Sequence, residues 1–176
     1  MTTDIVPVNE EYFKKRVFEL GKIIREGGLV SFPTETVYGL GANALDAEAA
    51  RKTYAAKGRP SDNPLIVHVA DKKEVSRYVK EVTPLEEKLM DAFWPGPLPL
   101  VFPKTDIIPK ATSGGPDTIA IRCPANEATR ALIRAAGVPI SGPGAHLSPI
   151  PRPTTAQAVY PDMKGRIEAI SDDGPC

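Results

Sequence analysis

Leu29-Val30-Ser31-Phe32-Pro33-Thr34-Glu35-Thr36-Val37-Tyr38-Gly39-Leu40-Gly41-Ala42-Asn43-Ala44 is the stretch on which the reading of the fold turns. Leu29 to Phe32 reads as a short buried strand, and Pro33 stops it because proline brings no backbone N–H to a ladder. Gly39 to Ala44 matches the G-x-G-x-x-G/A spacing of dinucleotide-binding loops. Such a loop follows its strand directly and opens a helix. Here Pro33 to Tyr38 intervene, and the next helix begins only near Asp46. The glycine segment is therefore read as a shaped turn, not a Rossmann fingerprint. No G-x-x-x-x-G-K-[ST] occurs, which excludes a P-loop.

Outward from this stretch, helical and strand periods alternate. Before it, Phe13, Val17, Leu20 and Ile24 fall at helical spacing, with Asn9 as the cap and Gly27-Gly28 as the stop. After it, a helix from Asp46 to about Lys57 precedes a strand from Leu65 to Val69. In that strand Leu65, Val67 and Val69 share one face, and Ile66 and His68 the other. Asp71-Lys72-Lys73-Glu74 and Thr83-Pro84-Leu85-Glu86 are capping-box patterns that open two more helices. Leu98 to Phe102 is strand-like, and Pro99, which removes a ladder donor, argues for an edge or a bulge. Thr118 to Arg122 alternates strictly. Residues 126–136 form an amphipathic helix closed by Gly137, followed by a strand from Val138 to Ser141, a helix near 155–160 and a strand near 166–170. This order is an α/β fold with a sheet at least partly parallel, in one domain spanning 1–176. The turn-rich end, Ser171 to Cys176, directly after a strand, is of the kind that leads into another element, so the C-terminus reads as abrupt.

Composition bounds the function. Lys+Arg and Asp+Glu are 22 each in 176 residues, so the formal net charge is zero, and nucleic acid can be contacted only through a local basic patch. No run of 18 apolar residues exists, and residues 1–15 lack a basic segment leading into an apolar one, so the expectation is a cytoplasmic protein without a membrane helix. Two cysteines, Cys123 and Cys176, allow neither a disulfide framework nor a four-thiolate metal site. The 19 prolines and 14 glycines are spread along the chain, marking many shaped loops.

Chemistry concentrates in a few places. Lys57-Gly58-Arg59-Pro60-Ser61-Asp62-Asn63-Pro64 sets two cations at a helix end, before polar residues stiffened by prolines. A point charge and a planar fork suit polyphosphate or carboxylate, and they equally complement a helix C-terminus. His68 lies within an apolar strand, where core and catalytic roles both stay open. Arg122 ends a strand, the place where ligands sit in α/β sheets, and a surface ion pair is the alternative.

Taken together, four blocks resemble the YrdC-like threonylcarbamoyl-AMP synthase family: Phe32 to Gly41, Lys57-Gly58-Arg59-Pro60 with Asn63-Pro64-Leu65, Trp94-Pro95-Gly96-Pro97-Leu98, and Ile119 to Pro124. The resemblance implies a twisted, mostly mixed sheet flanked by helices around a positive cavity, similar also to dihydroxybutanone-phosphate synthase. It implies a nucleotidyltransferase that makes threonylcarbamoyl-adenylate and pyrophosphate from L-threonine, bicarbonate and ATP, for tRNA threonylcarbamoyladenosine modification, with Mg accompanying ATP. Lys57 and Arg59 are implied as the catalytic pair on the phosphates. Asn63, Thr118, Gly144 and Arg152 are implied at the nucleotide, and Thr34, Thr36, His68, Arg122 and Gly142 at threonine. RNA or tRNA-modification proteins are implied as further partners, and no protein-held metal site is expected.

The resemblance also implies a further strand after the Asp173-Gly174-Pro175-Cys176 turn, whose absence would leave a sheet edge unpaired. One segment departs from the family. Its S-x-N within P-S-A-N-L-S-G is here Pro143-Gly144-Ala145-His146-Leu147-Ser148-Pro149. Glycine has no hydroxyl, and histidine lacks the amide's paired donor and acceptor. A non-catalytic member that binds nucleotide or RNA in the same cavity is therefore the alternative to an active synthase.

Overall fold

The computed structural model describes residues 1–58, 65–143 and 152–176. In chain order these form strand β1 (Asp4–Pro7), a π-helical turn (Tyr12–Arg16) running into α1 (Val17–Arg25), strands β2 (Val30–Pro33) and β3 (Tyr38–Asn43), and helix α2 (Ala47–Lys57). Next come β4 (Val67–His68), a 3-10 turn (Lys72–Arg77), α3 (Pro84–Phe93), β5 (Leu100–Pro103) and a short α4 (Lys110–Ser113). The chain continues through β6 (Thr118–Arg122), α5 (Glu127–Ala136), β7 (Ile140–Ser141), α6 (Ala156–Met163) and β8 (Ala169–Asp172).

The strands make one mixed sheet, ordered β1-β8-β2-β3-β7-β4-β6-β5. β8 runs parallel to both β1 and β2, and β4 parallel to β6, while the remaining neighbours are antiparallel. β8 is thus paired on both sides, and the unpaired edge expected beside it is not found there. The edges among the described residues are β1 and β5. The edge position inferred from Pro99 holds, because β5 pairs only with β6.

Local signals account for most helices. The Asp46 carboxylate accepts from Glu48 N at 2.9 Å and caps α2. Thr83 Oγ1 accepts from Glu86 N at 3.2 Å while the Glu86 carboxylate accepts from Thr83 N at 2.9 Å, so α3 opens on a capping box with Pro84 in its first turn. Asn126 caps α5 through Thr129 N at 3.0 Å, and Gly137 closes it with φ 70°, a left-handed value that glycine adopts without a Cβ penalty.

Two expectations are corrected, and one strand is new. Gly39 to Asn43 is not a turn but most of β3. Its glycines are close-approach positions, since a Cβ on Gly39 would lie 2.9 Å from Phe32 Cζ and one on Gly41 would lie 2.6 Å from the Val30 carbonyl oxygen. Phe13 is exposed, and Tyr12 is buried in its place. The π turn adds a residue to the helical repeat and shifts the buried face by one position. β1 went unread because Val6 is its sole buried residue, so it has no apolar alternation.

α1 and α5 cover one face of the sheet, packing Leu20, Ile24, Leu132 and Ile133 against Val30 and Phe32. α2 and α6 cover the other, around Leu40, Ala42, Val159 and Ile170. A further cluster joins β4, β5 and β6 to α3 through Val67, Phe102, Ile121 and Met90. Each fully buried large aliphatic contributes roughly 1.5–3 kcal/mol. α1 crosses α5 so closely that a Cβ on Gly21 would sit 2.7 Å from the backbone of Ala135 and Ala136. Among the described residues, no helix is long and apolar enough to cross a membrane.

Candidate active site

β2 ends at Pro33, and the chain reverses through Thr34 to Val37 before β3. Thr34 builds this turn. Its backbone N–H donates to the Val37 carbonyl at 3.1 Å, and its hydroxyl donates to the same oxygen at 2.6 Å. The hydroxyl also accepts from the N–H groups of Thr36 at 3.3 Å and Val37 at 3.2 Å. Thr34 is thereby buried and spent on shaping the loop, whereas Thr36 is exposed, with its hydroxyl 3.5 Å from that of Thr34. Thr129 of α5 donates to the Pro33 carbonyl at 2.6 Å and pins the entry to the turn.

His68 and Arg122 are paired residues of the parallel strands β4 and β6, so their side chains leave the same face of the sheet. The His68 ring stands edge-on to Phe32, with centroids 5.2 Å apart, and its Nδ1 lies 3.2 Å from the Ile140 carbonyl oxygen. Burial pushes the His68 pKa down to about 4, so the imidazole is neutral near pH 7 and offers no charge to a ligand. Gly142 sits over this pair. A Cβ there would meet Phe32 Cζ at 2.7 Å and His68 Cε1 at 2.9 Å, so the position accepts only glycine without repacking.

Arg122 is 7% exposed, and burial lowers its pKa from the usual guanidinium value, which still leaves it charged at any ordinary pH. Its Nε donates to the Gly96 carbonyl at 3.1 Å, and its Nη2 pairs with Glu35 Oε2. The other carboxylate oxygen, Glu35 Oε1, accepts from Ala125 N. Sequence reasoning missed Glu35. The available signal was an acid between the two threonines of a block that also requires an arginine.

The structure therefore brings together Thr34, Thr36, His68, Arg122 and Gly142, with Glu35 as an addition. Lys57 is buried at the C-terminus of α2. Thr118 is exposed at the start of β6, about 13 Å along the strand from Arg122. Arg152 is exposed beside Pro153, whose carbonyl accepts from Tyr38 N at 2.9 Å, so it neighbours the start of β3. No hydrogen bond or ion pair among the described residues joins Thr118 or Arg152 to the Arg122 cluster. Arg59, Asn63, Gly144 and His146 lie outside the described residues. Among the described residues, no group of three His, Cys, Asp or Glu side chains is placed to hold a metal ion.

Comparison with known proteins places this geometry. The chain is 47% identical over 172 residues to the threonylcarbamoyl-AMP synthase of Pyrococcus abyssi, covering 98% of this chain and 51% of that protein. It is 47% identical over 161 residues to the threonylcarbamoyl-AMP synthase of Bacillus subtilis, covering 91% and 46%. The crystal structure of P. abyssi Sua5 complexed with L-threonine superposes with a TM-score of 0.93 at 46% identity, covering 99% of this chain and 51% of that one. The chain spans about half the length of these relatives. The family model Sua5_yciO_yrdC, described as Telomere recombination, matches residues 22–176. With that match, the identity to relatives over nearly the whole chain, and the turn, strand ends and glycines set out above, the chain belongs to the Sua5/YciO/YrdC family.

Proposed function

We propose that this chain carries the site that forms threonylcarbamoyl-adenylate from L-threonine, bicarbonate and ATP, releasing pyrophosphate. The observation that carries this reading is the likeness, over nearly the whole chain, to a relative whose structure is described as complexed with L-threonine. Arg122 would take the carboxylate of threonine, and Thr36 would present a hydroxyl at the same corner. The threonine amine, once deprotonated, adds to the carbon derived from bicarbonate and expels water. A carbamate oxygen then attacks the α-phosphorus of ATP, and pyrophosphate leaves.

Two anions meet in that step, so it needs fixed cations, a role given to Lys57 and Arg59. Asn63, Thr118, Gly144 and Arg152 are assigned to the nucleotide. The neutral His68, beneath Gly142, acts by shape: it supports the floor of the threonine site and takes no part in charge transfer. Magnesium is proposed as the companion of the ATP phosphates, and no step is routed through it. The product would serve tRNA modification in the cytoplasm, with RNA or tRNA-modification proteins as partners.

A second reading rests on Gly144 and His146, which stand where the family has serine and asparagine. It is a member that binds nucleotide or RNA without turnover. Threonine-dependent pyrophosphate release, measured with saturating bicarbonate, ATP and magnesium, decides between them. Turnover supports the synthase. ATP binding without turnover supports the second reading, and binding of neither threonine nor ATP overturns both.

A further inference from the structure

Arg122 is held along one edge. Nε donates to the Gly96 carbonyl and Nη2 is ion-paired with Glu35 Oε2 without hydrogen-bond geometry, while Nη1 makes no hydrogen bond among the described residues. Glu35 is ion-paired with Arg122 through Oε2, and its Oε1 accepts from the backbone N–H of Ala125, across 90 residues of chain. It projects from a turn that the Thr34 hydroxyl closes with three hydrogen bonds. Both members of the pair are sheltered, the Arg122 side chain 9% and the Glu35 side chain 24% exposed.

Two physical consequences follow. First, an arginine side chain is rich in rotamers, and fixing it before the ligand arrives removes that ordering cost from binding. Second, Glu35 cancels the charge of Arg122. A zwitterion, with a carboxylate for Nη1 and an ammonium beside Glu35, leaves the corner neutral. A bare carboxylate would leave it with a net negative charge, which is costly in a sheltered site.

We propose that Glu35 is the specificity-determining partner of Arg122: it positions the guanidinium by its Nε–Nη2 edge and makes the site select an amino acid over the same acid without its amine. This deepens the threonine assignment above and rests on it.

The test is calorimetric titration of the full chain with L-threonine and with (R)-3-hydroxybutyrate, which is threonine lacking the amine. Parent, Glu35→Gln and Glu35→Asp are compared, with thermal unfolding as the check on folding. Glu35→Gln keeps the shape and the acceptor but leaves Arg122 unneutralised. The expected result is that L-threonine weakens and (R)-3-hydroxybutyrate tightens, so that their affinity ratio falls by at least roughly tenfold. Glu35→Asp keeps the charge and is expected to preserve most of the parent's ratio even where both affinities drop.

If both ligands weaken alike in Glu35→Gln, Glu35 is only a brace and the selectivity claim is wrong. If both tighten alike, Glu35 is a competitor that occupies the arginine, and the proposal is overturned. Unchanged affinities overturn it as well. A parent that binds neither ligand instead brings down the threonine assignment, and this inference with it.

Discussion

Two buried polar clusters of this molecule are built on opposite terms. At the first, the Tyr12 hydroxyl donates to the Ala128 carbonyl at 3.2 Å and accepts from Ser171 Oγ at 3.1 Å, tying the π turn to α5 and β8. Burial pushes that phenol up to about 12, and the group is neutral and satisfied. At the second, Arg122 and Glu35 are charged and ion-paired, and neither Arg122 Nη2 nor Glu35 Oε2 has a hydrogen-bond partner among the described residues. A satisfied neutral cluster fastens elements together. A charged one with unsatisfied groups is the kind of arrangement that marks a candidate site.

The comparison breaks most visibly at Arg122. Arg122→Ala leaves the Glu35 carboxylate sheltered without a counter-charge, and is expected to cost about 3–5 kcal/mol of stability along with threonine binding. Urea unfolding and calorimetry read the two losses. Arg122→Lys is expected to recover part of the stability but not the binding, because lysine lacks the planar fork. Full threonine affinity in either variant would remove Arg122 from the site.

Next in size is a pH effect. The His68 pKa is about 4 in the folded state, against 6.5 ordinarily. Above pH 6.5 both folded and unfolded chains hold a neutral imidazole, and the group contributes nothing to the pH dependence. Between pH 6.5 and 4 the unfolded chain takes up a proton that the folded chain refuses, so stability is lost as pH falls. The loss totals about 3 kcal/mol and stops growing below pH 4. His68→Asn, which keeps a donor for the Ile140 carbonyl, should flatten this part of the stability profile. An identical slope in parent and variant would show that other groups carry it.

Smaller effects belong to the other cluster and its surroundings. Gly21→Ala places a Cβ against the α5 backbone, and is expected to cost about 1–3 kcal/mol through helix separation, with ligand affinity unchanged. Tyr12→Phe strands the Ala128 carbonyl, and is expected to cost about 1 kcal/mol, again without changing threonine affinity. A change in threonine affinity with either substitution would show that the two clusters are coupled.

Much of the fold was legible where local rules act alone. Asp46 and Thr83-Pro84-Glu86 announced their helices, and Pro99 pointed to an edge or a bulge, because capping and proline chemistry are settled within a few residues. β3 was not legible. Its glycines exist to admit Phe32 and the Val30 carbonyl, neighbours visible only once β2 and β3 pair. Phe13 was misassigned because a π turn conserves apolar spacing while moving the buried face by one residue.

In the site, the sequence by itself determined only the set of candidates, put forward through the family resemblance. The resemblance implied Thr34, Thr36, His68, Arg122 and Gly142 at threonine, and the structure gathers them at one corner of the sheet. Only the tertiary structure decided how they share the work. It spends the Thr34 hydroxyl on its own turn, buries His68 as a neutral support, and sets Glu35 against Arg122. Those outcomes depend on burial and on contacts between distant segments, and neither is encoded in the spacing of nearby residues.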